Sequence, residues 1–160
     1  YGDTLAEDEA TVKANWEQIK LKEKGNTSVL GGVPRSLPAL VKAMRIQEKV
    51  SGVGFDWENG DQVWNKVEEE IKEFKAENQA ETVNSKRKNE EFGDVLFSLI
   101  NYARFQDINP EEALDRTNKK FIKRFQYLEI ASKREGKSLA EMTLSEMDIY
   151  WEAAKKNEKN

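Results

Sequence analysis

Four acidic residues carry the spacing best suited to chemistry in this sequence: Glu70 and Glu73 in KVEEEIKEF, Glu91 and Asp94 in EEFGDVLF. Within each pair the residues lie one helical turn apart, so both carboxylates project from nearly the same face. Alone, the first segment reads as a solvated acidic face with i,i+4 partners. On a helical wheel, however, Glu70 falls about 20° from Val63, at the edge of an apolar arc of Val63, Val67, Ile71, Trp64 and Phe74. The second pair opens EFGDVLFSLINYARF, which is apolar on most of its circumference. Acidic residues are rarely buried unless paired or bound to metal. Four carboxylates converging between two such helices would repel and could not all stay ionised. A divalent cation resolves that conflict; the competing account is an interhelical network with Lys66, Arg87 or Lys88.

The chain of 160 residues contains no cysteine and no histidine. That excludes thiol nucleophiles, zinc fingers, iron–sulfur clusters, serine triads and histidine acid/base catalysis. Chemistry is left to carboxylates, Lys/Arg, hydroxyls or a hard metal. Oxygen-only ligands at helical spacing favour Mg2+, with Mn2+ as a substitute, over zinc or a di-iron centre. Magnesium held by carboxylates keeps positions open for substrate phosphate, which also needs cations nearby. Lys66, Arg87-Lys88, and Lys120 with Arg124 at i,i+4 are the candidates, although each singly reads as a solvated basic residue. Trp151, in a stripe with Leu144, Met147 and Ala154, reads first as core; its functional reading is a ring covering a nucleobase.

The elements that must carry these residues read as helix after helix, with no run of alternating β-branched residues. Residues 7–24 form a charged arm helix with Val12, Trp16 and Ile19 on one stripe, and Gly25 to Gly32 a loop separating arm from core. Ser36 caps the next helix, with Pro38 inside its first turn, and Gly52 and Gly54 end it. Asp61 caps a helix over roughly 62–78. After the polar QAETVNSKRK another runs to Phe105. Pro110 opens one that extends to Arg134, and Thr143 with Glu146 forms a capping box for a last helix through Ala154. The fold class expected is all-α, with residues 1–32 as arm and linker and 33–160 as the catalytic domain.

With 30 acidic and 26 basic residues the net charge is −4, which disfavours non-specific nucleic-acid binding. No apolar run approaches a membrane span and no signal peptide opens the chain, so a cytoplasmic protein without a membrane partner is expected. The chain starts at Tyr1 and is read as a piece of something longer.

EEIKE at 69–73 followed by EFGD at 91–94 resembles the EExxE…ExxD signature of the all-α nucleoside triphosphate pyrophosphohydrolases. Within them, VPRSLPALVKAMRIQEKVSGVGFDW (33–57), FGDVLFSLINYARF (92–105) and NPEEALDRTNKKFIKRFQYLE (109–129) are similar to the MazG family. NWEQIKLKEK (15–24) resembles the linker before the second of that family's two tandem domains. The resemblance implies a Mg2+-dependent enzyme cleaving nucleoside triphosphates, ATP included, to monophosphate and pyrophosphate, with broad base specificity and a role in nucleotide-pool housecleaning. It implies a homodimer of helical bundles and, as metal ligands, Glu70, Glu73, Glu91 and Asp94. It also implies nucleotide contacts at Lys66 to Glu69, at Arg87, Lys88 and Asp94, at Lys120, Lys123 and Arg124, and at Trp151. Arg87 stands where the family pattern has Lys. Catalytic roles fall to Glu69 or Glu70 as proton acceptor and to Lys120 and Arg124 as neutralisers of phosphate charge. The alternatives are a narrower dUTPase-like or phosphoribosyl-ATP pyrophosphohydrolase-like enzyme, and a non-catalytic helical dimerisation module.

Overall fold

The computed structural model describes residues 28–158 except 81 and 83, together with 11, 12, 15, 16, 19 and 25. The expected arm helix over 7–24 lies largely outside the described residues, although Thr11, Val12, Asn15, Trp16 and Ile19 are helical. Five α-helices follow: α1 (Ala39–Gly52), α2 (Gly60–Gln79), α3 (Ser85–Phe105), α4 (Pro110–Arg134) and α5 (Leu144–Asn157), with a 3-10 turn at Leu139–Glu141. No strand occurs among the described residues, as the all-α reading expects. None of their helices is long and apolar enough to cross a membrane. The chain divides into two compact units, residues 1–110 and 111–160.

In the first unit, α2 and α3 form an antiparallel hairpin. Trp64 near the start of α2 meets Tyr102 near the end of α3, at 4.9 Å between ring centroids, and Phe74 meets Phe92 at 5.4 Å near the other end. The side of α2 that faces inward is Val63, Val67 and Glu70, at the i, i+4, i+7 spacing of one helical face. Burying the two valines contributes roughly 1.5–3 kcal/mol each. α1 packs against α3 and is tied to it by Gln47, whose Nε2 donates to the Phe97 carbonyl at 2.9 Å.

Helix ends correct the sequence reading at three points. Ser36 does not cap α1; Pro38 is its N-cap residue, with no side-chain cap bond. Asn59, not Asp61, caps α2, its side chain accepting from the Gln62 amide at 3.0 Å. α3 starts at Ser85, capped by Asn84, so Lys86, Arg87 and Lys88 are helical rather than loop residues. The Asn side chains win because each reaches an otherwise unpaired first-turn amide. At the end of α1, Phe55 N–H bonds back to the Val50 carbonyl at 3.0 Å and Gly54 adopts φ +89°, a left-handed stop that a side chain would strain. That stop turns Phe55, Asp56 and Trp57 away from the helix axis. Asp56 is then held by both Arg104 guanidinium nitrogens, at 2.7 and 2.5 Å, locking this connector to α3.

In the second unit, α5 folds back on α4. Phe121 packs on Trp151 at 5.0 Å, Tyr150 O–H donates to Glu135, and Arg124 pairs with Glu158 at 2.7 Å. The Thr143–Glu146 capping box forms as expected, and a second one, Ser138–Glu141, caps the 3-10 turn.

Candidate metal centre and substrate cavity

The α2–α3 hairpin brings Glu70, Glu91 and Asp94 together. Each offers a carboxylate oxygen, and these oxygens lie within 4.8 Å of one another. Glu70 is 6% exposed, on the inward face of α2. Among the described residues its cationic partner is Lys66, one turn earlier, at 2.6 Å; Lys66 also reaches Glu69 at 3.1 Å. Those two hydrogen bonds, Glu70 first, raise the Lys66 pKa and keep it charged. Glu91 is pushed above the ordinary carboxylate range, first by desolvation and then by the charges of Glu73 and Asp94, against the smaller opposing pull of Arg87. Glu73 therefore acts electrostatically on the group but lies outside the three converging oxygens. Arg87 sits a turn before Glu91 and pairs loosely with Glu77 at 3.5 Å.

Three converging carboxylates with one ammonium among them fit a hard divalent cation, whose preferred donors are oxygens. Lys66 brings one positive charge to three carboxylates. Of the competing network of Lys66, Arg87 or Lys88, Lys66 reaches the triad, through an intrahelical pair with Glu70, while Arg87 pairs with Glu77 instead.

Beside the triad lies a cavity of about 480 Å³, within the usual range for small-molecule sites. Ile46, Val50, Phe55, Trp57, Val63 and Phe97 give it apolar walls, while Lys66, Glu70 and Asp94 line one part of it. Gln47, Asp56, Ser98, Asn101 and Arg104 supply its other polar groups. None of these last five was a sequence candidate. Gln47 had a local signal, a polar residue four after Ala43 and three before Val50 on the inward stripe of α1. Asp56 and Arg104 had none, because their partnership spans 48 positions.

Lys120, Lys123, Arg124 and Trp151 all belong to the second unit. Lys120 and Lys123 are exposed on α4. Arg124 is paired with Glu158 and lies over the Trp151 ring, 5.8 Å from its centroid. Trp151 is half-buried against Phe121, the packing its apolar stripe calls for. Glu69 is exposed beside Lys66, and Lys88 is half-buried on α3.

Comparisons with known proteins agree on one family. Residues 60–128, which contain both carboxylate pairs, match the model of the MazG nucleotide pyrophosphohydrolase domain. The chain is 43% identical over 142 residues to the nucleoside triphosphate pyrophosphohydrolase/pyrophosphatase MazG of Thermotoga maritima, covering 88% of this chain and 54% of that protein. It is 38% identical over 161 residues to the nucleoside triphosphate pyrophosphohydrolase of Escherichia coli K12, covering 99% of this chain and 61% of that one. An uncharacterized Bacillus subtilis protein, YabN, is 48% identical over 161 residues, of which this chain spans 33% of the length.

Proposed function

Because the chain belongs to the MazG nucleotide pyrophosphohydrolase family through residues 60–128, we propose that it hydrolyses nucleoside triphosphates to monophosphate and pyrophosphate. The observation that carries this is the convergence of Glu70, Glu91 and Asp94 oxygens beside a nucleotide-sized cavity. Glu70, Glu91 and Asp94, with Glu73 adjoining, would hold Mg2+, for which Mn2+ could substitute. When bound, the ion lowers the pKa of water and neutralises phosphate charge.

The protein's own groups do the rest. Both Glu69 and Glu70 pair with Lys66, but Glu70 is also committed to the triad, which leaves the exposed Glu69 as the proton acceptor. Water adds to phosphorus of the α,β-anhydride, the bridging P–O bond breaks, and the proton passes to Glu69. Lys66 holds Glu69 and Glu70 in place and offers positive charge to the phosphates. Arg87 and Lys88, on the same α3 that carries Glu91 and Asp94, contribute further nucleotide contacts.

Residues 33–160 act as the catalytic domain, after an arm and linker at 1–32, and clear unwanted nucleotides from the cytoplasmic pool. The working species is a homodimer. Phe92, Leu96 and Leu99 on α3 and Leu114, Phe121, Ile122 and Phe125 on α4 expose large apolar surfaces of the kind that association covers.

The test is product analysis with each standard triphosphate and Mg2+. Equal amounts of monophosphate and pyrophosphate from all of them support the reading. Diphosphate and orthophosphate would refute it, and so would no turnover by a folded chain. Cleavage of one triphosphate alone would favour a narrow-specificity enzyme.

A further inference from the structure

We propose that Glu77 is a positioning residue for the reaction, holding Arg87 by its Nε so that the guanidinium's two terminal nitrogens are left for a phosphate of the substrate. This deepens the nucleoside triphosphate reading and rests on it. Glu77 lies seven residues after Glu70 on α2, and Arg87 lies seven before Asp94 on α3. Seven residues is close to two helical turns, so Glu77 continues the face of Glu70 and Arg87 the face of Asp94. In an antiparallel pair, equal steps away from two facing residues arrive at two more. The contact closes accordingly, with Arg87 Nε 3.5 Å from a Glu77 carboxylate oxygen.

The two partners are held unequally. The Glu77 side chain is 12% exposed and the Arg87 side chain 63%. A carboxylate so enclosed needs a positive partner, and among the described residues Arg87 is the one that pairs with it. The acid is the fixed member and the guanidinium the reaching one. Contact through Nε leaves the terminal fork, the pair of donors that meets phosphate oxygens in two parallel bonds.

Arg87 also stands beside the triad. It precedes Glu91 by one turn, and its charge is felt there, opposing the acids that raise Glu91. A phosphate chain whose cation sits on Glu70, Glu91 and Asp94 comes within reach of an arginine so placed. A lysine could not divide itself in the same way. Its ammonium is one point charge, which Glu77 would draw off the phosphates, whereas a guanidinium meets an acid on one edge and a phosphate on another.

The test is calorimetry on the full chain, first with Mg2+ alone and then with inorganic tripolyphosphate in the presence of Mg2+. Glu77→Gln keeps the length of the side chain and removes its charge. Were Glu77 only a nearby negative charge, its loss would tighten polyphosphate binding. Positioning predicts the opposite sign, binding weaker by about fivefold, the worth of one good ion pair. Binding of Mg2+ alone should not change. In an Arg87→Ala background Glu77→Gln should weaken nothing further, because no guanidinium is left to position.

Equal or tighter tripolyphosphate binding by Glu77→Gln overturns the proposal. So does a loss that persists in the Arg87→Ala background, or one matched by a loss of Mg2+ binding; either would make Glu77 a structural partner within the hairpin. Should Glu77→Gln fail to fold, Arg87→Lys at the exposed partner decides, since affinity equal to wild type overturns the proposal and weaker binding supports it. If wild type and Arg87→Ala bind tripolyphosphate alike, only the positioning fails and the pyrophosphohydrolase reading stands. If wild type does not bind it at all, both fail.

Discussion

In the α2–α3 hairpin the carboxylates of Glu70, Glu91 and Asp94 converge with one ammonium, Lys66, among them, whereas in the α4–α5 hairpin Glu135, Glu146 and Glu158 each face a donor of their own. There, Glu158 meets Arg124, Glu135 accepts from Tyr150, and Glu146 accepts from the Thr143 amide and from Lys137. The pKa directions follow the same division. Glu91 is raised by desolvation and then by neighbouring acids; Glu158 is lowered by Arg124, and Glu146 by the Thr143 amide and Lys137. Both hairpins are helical pairs, so helix propensity does not separate them. Charge matching does. Matched carboxylates hold a fold together, while unmatched ones raise the energy of the empty site and lower it when a cation arrives.

Removing the most buried carboxylate of the triad should have the largest effect. Glu70→Gln is expected to lower Mg2+-dependent turnover at least about 100-fold, with the helical circular dichroism unchanged. Near-wild-type rates would make the cluster an ordinary surface feature, no different in kind from the α4–α5 pairs.

A finer contrast lies within the hairpin. Glu91 is one of the three converging groups and Glu73 acts on it from outside. Glu91→Gln should weaken Mg2+ binding more than Glu73→Gln, the latter by about 10–100-fold as for outer-sphere partners. The reverse order, read by calorimetry, would redraw the site around Glu73.

Asp56→Asn tests a matched pair in the first unit. Losing one side of the two-pronged contact with Arg104 should cost about 1.5–3 kcal/mol in urea unfolding at neutral pH. Asp56 is lowered despite the opposing desolvation, through hydrogen bonds from Arg104, Ser51 and the Trp57 amide. A depressed folded pKa stabilises above the unfolded value of about 3.9 and stops doing so as pH falls through the folded one. The gap between variant and wild type should therefore close below that window.

The smallest effect belongs to Glu146→Gln in the capping box. Its folded pKa is lowered, chiefly by the Thr143 amide, so its stabilisation is present above about 4.3 and lost on acidification below it. A modest drop in Tm at pH 7 that disappears near pH 3, with turnover untouched at neutral pH, is the expected signature.

Much of this was legible in the sequence where the signal is local. The carboxylate spacing put Glu70, Glu91 and Asp94 on two helix faces, and Thr143–Glu146 announced its own cap. Asp61 was mistaken for the cap of α2 because Asp and Asn cap comparably, and which of them sits at the helix mouth depends on where the chain turns. Gln47, Asp56 and Arg104 were missed for a different reason. Their roles come from tertiary partners 50 and 48 positions away; the stripe of α1 could place Gln47 inward, but no periodicity names its partner or that of Asp56.

The central claim is that the converging carboxylates of α2 and α3 form a metal site. Thermal unfolding of wild type and Glu70→Gln, each with and without millimolar Mg2+, tests it most directly. A ligand that binds only the folded state raises Tm, so wild type should gain stability with Mg2+ and the variant should not. The same gain in both, or none in either, would contradict the claim.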